Sequence, residues 1–588
     1  MRHRALLAVT ASLWSGVLSA QTLPPVPPGG GSVPSPGGIA APRPGMPGGL
    51  PPRDPRAGAP SGTGVVRGRI TAAGSTTPLR RAQVMLNAPE LQLRRSTTTD
   101  AEGRYEFSEL PPGRYSVNVV KGGYVTLEYG QRRPFEPGTP VILGDGQTLT
   151  SINVALPRGS VIAGRVTDEF GEPIARVQVQ ALRYIYGPDG QRRPLPASGA
   201  QTDDLGQFRV FGLMPGDYIV SASGRDTLSL SFGGPNSADT GESYVTSYHP
   251  GTANINEAQS VTTTLGQETT LQFALTAARM SRVGGVVTDS TGKPAVGAMI
   301  LLGPGSGLAV GGFTTGQSGV DGAFVLSNVA PGDYQLSVQP INMMGGDGRS
   351  AESASVPISV GGGDLMNLRI TTSRGTTVAG RVVFEGEASR TGLVPLRVFG
   401  QPVDPGRMTF GSGSPLANGV VADDGTFELA GGMGQVFFRV STPPAWVLKS
   451  VSIEGVDVTD TPIDLSGRDG LSGLTIVLTD KVTDVNGQVT DARGRPLKDY
   501  AVVVQPSEQK PAQAMTRYLR VVRPDQDGRF RIRGLPPGSY EATAIESLEQ
   551  GRQFVPDVQA RLRDTARRFT VREGETLALD LKLTPDFQ

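Results

Sequence analysis

Few side chains in this 588-residue chain can do chemistry near neutral pH. There is no Cys, and the only two His are His3 and His249. That removes thiol nucleophiles, thiolate metal sites and disulfides, and leaves no pair of imidazoles for a zinc centre. Gly-x-Ser-x-Gly, a Gly-x-x-x-x-Gly-Lys-Ser/Thr phosphate loop and a helix-opening Gly-x-Gly-x-x-Gly are also missing, so neither an acyl-transfer nucleophile nor a nucleotide cradle is expected. The residues best equipped for recognition lie in two stretches. Residues 183–193 carry Tyr184, Tyr186 and Arg192 around a Gly-Pro-Asp-Gly turn, and 241–252 carry Tyr244, Tyr248 and His249. Aromatic faces and guanidinium groups on long loops suit contact with a glycan or a peptide, so these six are the candidate ligand contacts. His249 has no base or nucleophile motif nearby and reads as a surface histidine. Asp525/Asp527 and Asp423/Asp424 begin like a calcium loop. Calcium takes six or more oxygens, and the later ligands do not follow, so both read as hairpin turns. No catalytic residue, metal ligand or cofactor site is nominated, and the chain is expected not to be an enzyme.

Whatever these residues do, a turn-rich scaffold must hold them. Gly numbers 80 and Pro 48, more than an average globular chain carries. Charges balance, Lys+Arg 55 against Asp+Glu 54, so no net field draws nucleic acid or an anionic membrane. Met1-Arg2-His3-Arg4 precedes an apolar run from Ala5 to Leu18 and then Ser19-Ala20-Gln21, the layout of a signal peptide over residues 1–20, too short for a spanning helix. No later segment has the length or apolarity to span a membrane. The expected location is secreted or periplasmic, associated with the cell surface. Residues 21–64 are rich in Pro, Gly and Ser without a three-residue period, and read as a disordered linker.

Beyond the linker one pattern recurs. It opens with Gly68-Arg-Ile-Thr, Gly164-Arg-Val-Thr-Asp, Gly285-Val-Val-Thr-Asp, Gly380-Arg-Val-Val and Gly487-Gln-Val-Thr-Asp. A hairpin with a Gly two residues before an aromatic follows at Gly103, Gly206, Gly322, Gly425 and Gly528. Four copies then reach Pro-Gly-x-Tyr at Tyr115, Tyr218, Tyr334 and Tyr540, with the two glycines ten positions apart each time. The fourth copy lacks that Pro and Tyr and is degenerate. Period-two alternation such as Tyr115/Val117/Val119, punctuated by turns, predicts strands with one buried face, and no helical stripe competes. Repeat starts fall about 100 residues apart, the size of a seven-stranded sandwich with its own core. The fold class is therefore all-β: about five antiparallel seven-stranded β-sandwich modules in tandem, at residues 65–158, 159–279 (with long loops), 280–374, 375–480 and 481–588. Short joints such as Leu156-Pro-Arg-Gly-Ser160 predict a semi-rigid rod.

These motifs resemble carboxypeptidase regulatory-like domains, the transthyretin-like sandwiches also similar to adhesin B-repeats and to the carbohydrate-binding-like fold. The resemblance implies fold more than function, because the shared residues are turn and core residues. A carboxypeptidase zinc site is not expected with His249 alone. An adhesin-type Lys–Asn/Asp crosslink is impossible in residues 159–279, which contain no Lys. Sugar platforms favour stacked aromatics, and Trp446 is the only Trp beyond the signal peptide. The leading expectation is an exported, non-enzymatic spacer or adhesion and scaffold element of the cell envelope, partnered by an envelope protein or a glycan. The alternative is a carbohydrate- or peptide-binding protein that uses loops of the first two modules.

Overall fold

The computed structural model describes residues 61–133, 136–224, 242–305, 313–339, 352–388, 396–403, 419–443, 445–468, 470–508 and 515–584. The expected signal peptide and most of the expected linker lie outside the described residues. Ala59–Gln588 forms one compact unit, and along it the sheets group into five successive blocks, called modules 1 to 5.

Each module is built on one plan. The opening strand pairs antiparallel with the strand that follows the Asp/Gly turn. In module 1, Gly64–Ala72 pairs with Arg104–Leu110; in module 5, Asp484–Thr490 pairs with Arg529–Arg533. A second sheet is centred on the strand that begins at Pro-Gly-x-Tyr, as in Gln83–Ala88 against Gly113–Val120 and Ala501–Pro506 against Gly538–Ile545. Modules 2, 3 and 4 repeat this arrangement, the degenerate copy included. One pairing departs from the antiparallel expectation. In every module the opening strand also lies parallel to the closing strand, for example Ser160–Thr167 beside Glu268–Ala274. The chain has crossed to the second sheet and back between them, which permits a parallel neighbour that no hairpin could make.

The motif residues explain themselves in this frame. The opening Gly sits where a closing-strand carbonyl crosses. A Cβ at Gly68, Gly164, Gly285, Gly380 or Gly487 would overlap the carbonyl oxygen of Ile152, Leu271, Leu368, Leu474 or Leu579, so only Gly allows the parallel strand to close. The recurring Tyr is buried in modules 1, 2 and 5 and partly buried in module 3, and its hydroxyl donates to the carbonyl four residues earlier: Tyr115 to Pro111 (2.5 Å), Tyr218 to Met214 (2.8 Å), Tyr334 to Ala330 (2.9 Å) and Tyr540 to Pro536 (2.6 Å). The ring fills the core while the hydroxyl ties down the turn. Module 4 has Val436 there and keeps only the apolar half, completing its core with Trp446 set edge-on to Phe384 at 4.9 Å.

Two features differ from expectation. Module 5 contains helices, Met515–Tyr518 and Pro556–Asp564. The second buries only Val558 and Leu562, too narrow a stripe to stand out in sequence. It covers the outer face of the Ala501–Pro506 sheet, making a second small core with Val503, Ile545 and Leu548. The expected rod is the other correction: module 5 lies against modules 1 and 2. Short joints limit bending only between neighbours, and contacts between non-neighbours, such as Arg523 with Glu136 and Arg183 with Glu549, bring the chain back on itself.

Candidate functional site

The two loop stretches fall at different places in module 2. Gln178–Tyr186 and Arg192–Gln201 form a long antiparallel hairpin, its tip closed by Asp189 and Arg193 (2.5 Å). Within it the exposed Arg192 guanidinium lies 4.3 Å over the half-buried Tyr184 ring, a cation–π pair. Tyr248 is 8% exposed and packs with Leu182 and Ile219, Tyr184 flanking the same cluster. Burial raises the pKa of its hydroxyl. Tyr244 lies in a short strand, Glu242–Tyr244, paired with Ala277–Arg279, and packs on the module core. His249 is not on the open surface: its ring sits edge-on to Phe273 at 5.8 Å and its Nδ1 is buried without a partner. That burial lowers its pKa. The structure thus brings Tyr184, Arg192 and Tyr248 close to one another and sets Tyr244 and His249 elsewhere. Tyr186, at the hairpin tip, faces module 5. A Cβ on Gly551, which holds φ +92, would overlap its carbonyl oxygen. Arg183, on the same hairpin, meets Glu549 at 3.2 Å.

This contact belongs to a larger junction that sequence reasoning missed. Arg523 of module 5 reaches into module 1, where its side chain, 2% exposed, meets Glu136, 3% exposed, at 2.5 Å. Its other terminal nitrogen donates to Asp499 (2.7 Å) and to the Gly130 carbonyl (3.3 Å). Asp499 in turn holds Arg132 at 2.8 Å. The sequence Arg132–Asp499–Arg523–Glu136 therefore alternates charge across the junction. Burial raises the Glu136 pKa, opposed by Arg523, so the ion pair does not fully repay the carboxylate's loss of water. Beside it, the Gln526 amide accepts from Ile142 N (2.9 Å) and donates to Ile142 O (3.0 Å), satisfying both open backbone groups of that residue. Arg133 bonds Ser547 and meets Glu546 at 3.3 Å. The one signal in the sequence was Arg132-Arg133 and Glu136 within a single loop; nothing marked their partners nearly 400 residues away.

Modules 4 and 5 are joined as tightly. Arg517 donates to the carbonyls of Leu448 (2.9 Å) and Lys449 (3.0 Å) and pairs with Asp460 (3.4 Å). Tyr518 donates to Asp460, and burial together with that bond pushes its pKa up to about 12.

Between modules 1 and 5 a cleft of about 1050 Å³ opens, walled by Arg114, Pro140, Ile142 and Leu143 and floored by the outer face of the Arg529–Arg533 sheet. The acidic turns lie apart from any ligand geometry: Asp525 Oδ1 accepts the backbone N–H of Asp527 and Arg529 at 2.9 Å, and Asp424 that of Thr426 at 2.9 Å. Among the described residues no group of three or more His, Asp or Glu side chains is placed to hold a metal ion, and no helix is long and apolar enough to cross a membrane.

Comparison with known proteins matches the family model described as the carboxypeptidase regulatory-like domain to residues 65–157, 161–276 and 484–584. No curated protein matches. Solved structures similar in parts include a streptococcal ancillary pilin (14% identity, 52% of this chain and 98% of that chain, TM-score 0.19). The minor pilin GBS52 of Streptococcus agalactiae is 15% identical over 36% of this chain and 95% of that chain, with TM-score 0.20. The major pilin subunit BcpA of Bacillus cereus is 14% identical over 53% and 99%, with TM-score 0.13. At such low scores these neighbours carry no weight for the role of this chain.

Proposed function

This chain belongs to the carboxypeptidase regulatory-like domain family, and from that premise we propose that it is a non-enzymatic structural and interaction protein of the cell envelope, its modules packed as one scaffold closed by the junction of modules 1, 2 and 5. The observation that carries the reading is the buried Arg523–Glu136 pair. Two charges are withdrawn from water at a contact between modules distant in sequence, an expense that a loosely hinged string of domains avoids. The motif residues support the same reading, since each is consumed in a turn, a close strand crossing or a core.

The signal peptide reading adds export, with residence at the cell surface or in the periplasm. The test joins both parts. Because the chain lacks Cys, a pair introduced as R133C and S547C, at residues already in contact, is unique, and a short bismaleimide should link it intramolecularly at high yield. Fractionated cells should carry the processed chain in the envelope or medium. Absence of the crosslink overturns the closed scaffold, and a cytoplasmic, unprocessed chain overturns the location. The cation–π pair of Arg192 and Tyr184 keeps the loop-binding alternative specific: an R192A/Y184A variant that lost a captured glycan or peptide would favour it.

A further inference from the structure

Five internal copies of one strand allow a comparison within the chain. In the strand after the Asp/Gly turn, alternate residues face outward. They are Arg104, Glu106 and Ser108 in module 1; Gln207, Arg209 and Phe211 in module 2; Ala323, Val325 and Ser327 in module 3; and Thr426, Glu428 and Ala430 in module 4. In module 5 all three are arginine, Arg529, Arg531 and Arg533, while Phe530 and Ile532 point into the core. The fold does not require this, as four copies manage without it. It occurs in the one copy whose outer face floors the cleft against module 1.

We propose that this cleft binds an extended acidic peptide segment of a partner protein, with carboxylates at alternate residues seated on the arginine ladder. Successive outward residues on a strand are spaced about 6.6–6.8 Å, and so are alternate side chains of an extended peptide. One carboxylate therefore meets Arg529 and the next but one meets Arg533, a pairing that Arg makes with two hydrogen bonds. Arg531 is already oriented by Asp484, its Nε 2.8–2.9 Å from both carboxylate oxygens. Among the described residues the guanidinium groups of Arg529, Arg533 and Arg114 have no hydrogen bond or ion pair, so charge is left for a ligand. Three of the four acids lining the cleft are engaged: Asp484 holds Arg531, Asp525 caps its own turn and Asp580 accepts from Gln488 N (3.1 Å), while Glu90 faces the ladder from module 1. The opposite wall is apolar at Pro140 and Ile142, the latter 39% exposed, which suits the intervening side chains of the same peptide. No Trp or Tyr lines the cleft, leaving a sugar ring no platform. The inference deepens the interaction role proposed above and needs its closure of module 5 on module 1 for the apolar wall.

Binding is read with the full mature chain and a fluorescent peptide of alternating Glu and Val, against its Gln-for-Glu counterpart and an oligogalacturonate. The Glu peptide should bind with salt-dependent affinity, and the Gln peptide should not. R529Q/R533Q should weaken binding at least tenfold, whereas R104Q/R209Q, outward arginines on the same strand of modules 1 and 2, should leave it unchanged. R529E/R533E should gain affinity for a Lys-Val peptide, a result that misfolding cannot imitate. Failure of the Glu peptide to bind, equal binding by R529Q/R533Q, or preference for the oligogalacturonate overturns the proposal. The crosslink separates the two readings: with R133C/S547C linked and no peptide bound, the acidic-peptide site fails while the closed scaffold stands.

Discussion

Replacing Arg523 by Ala should weaken the junction far more than Glu136→Gln does, and the difference follows from what each change leaves behind. Arg523→Ala removes contacts at 2.5 Å to Glu136 and 2.7 Å to Asp499 and the bond to the Gly130 carbonyl. Glu136, 3% exposed, is stranded as a buried carboxylate. Breaking a buried pair in this way costs about 3–5 kcal/mol. Glu136→Gln leaves Arg523 with Asp499 and the Gly130 carbonyl, and spares a carboxylate whose raised pKa already marks its ionised form as poorly compensated. Its cost should be roughly 1 kcal/mol, that of one hydrogen bond. The Ile142 N–H reports closure directly, because its hydrogen bond goes to Gln526 across the junction. At about 1.4 kcal/mol per factor of ten, Arg523→Ala should speed exchange at Ile142 by about two to three and a half orders of magnitude, against less than about tenfold for Glu136→Gln. R523A/E136A should recover much of the loss. Exchange at Ile142 no faster in Arg523→Ala than in Glu136→Gln would refute the reasoning, and unchanged exchange in both would show that the ion pairs do not hold the junction.

Other expectations are simpler to test. Gly164→Ala places a Cβ on the Leu271 carbonyl and should destabilise module 2 by roughly 1–3 kcal/mol or more, read by thermal or urea unfolding. Tyr334→Phe loses only the bond to the Ala330 carbonyl and should cost about 1 kcal/mol; a loss above twice that would mean the hydroxyl does more than close its turn. His249 has a pKa lowered by burial, so the folded chain binds its proton more weakly than the unfolded chain does. Module 2 should therefore lose stability as pH falls below the ordinary His value near 6.5. A melting temperature flat from pH 7.5 to 5.5, or the same slope in His249→Phe, would refute that.

Much of the fold could be read from sequence because each repeat motif acts locally or within its own module. The Gly of the opening strand, the Asp/Gly turn and the Pro-Gly-x-Tyr corner each meet a partner inside the same hundred residues, and alternation reports which side of a strand is buried. The short helix at Pro556–Asp564 escaped notice because two buried residues make no stripe, and His249 read as exposed because nothing in its neighbours announces Phe273. The linker-like and signal-like N-terminus rests on composition alone.

Sequence by itself determined five copies of one β-sandwich plan, an absence of disulfides and a candidate set of aromatic and basic loop residues. Tertiary structure decided that Tyr248 and His249 turn inward, that the Gln178–Gln201 hairpin meets module 5, and that Arg523 finds Glu136. The physical reason is range. Turn and strand preferences are set by residues a few positions apart, whereas the pairing of Arg523 with Glu136 depends on how whole modules pack, and no local pattern encodes which two charges will lose their water together.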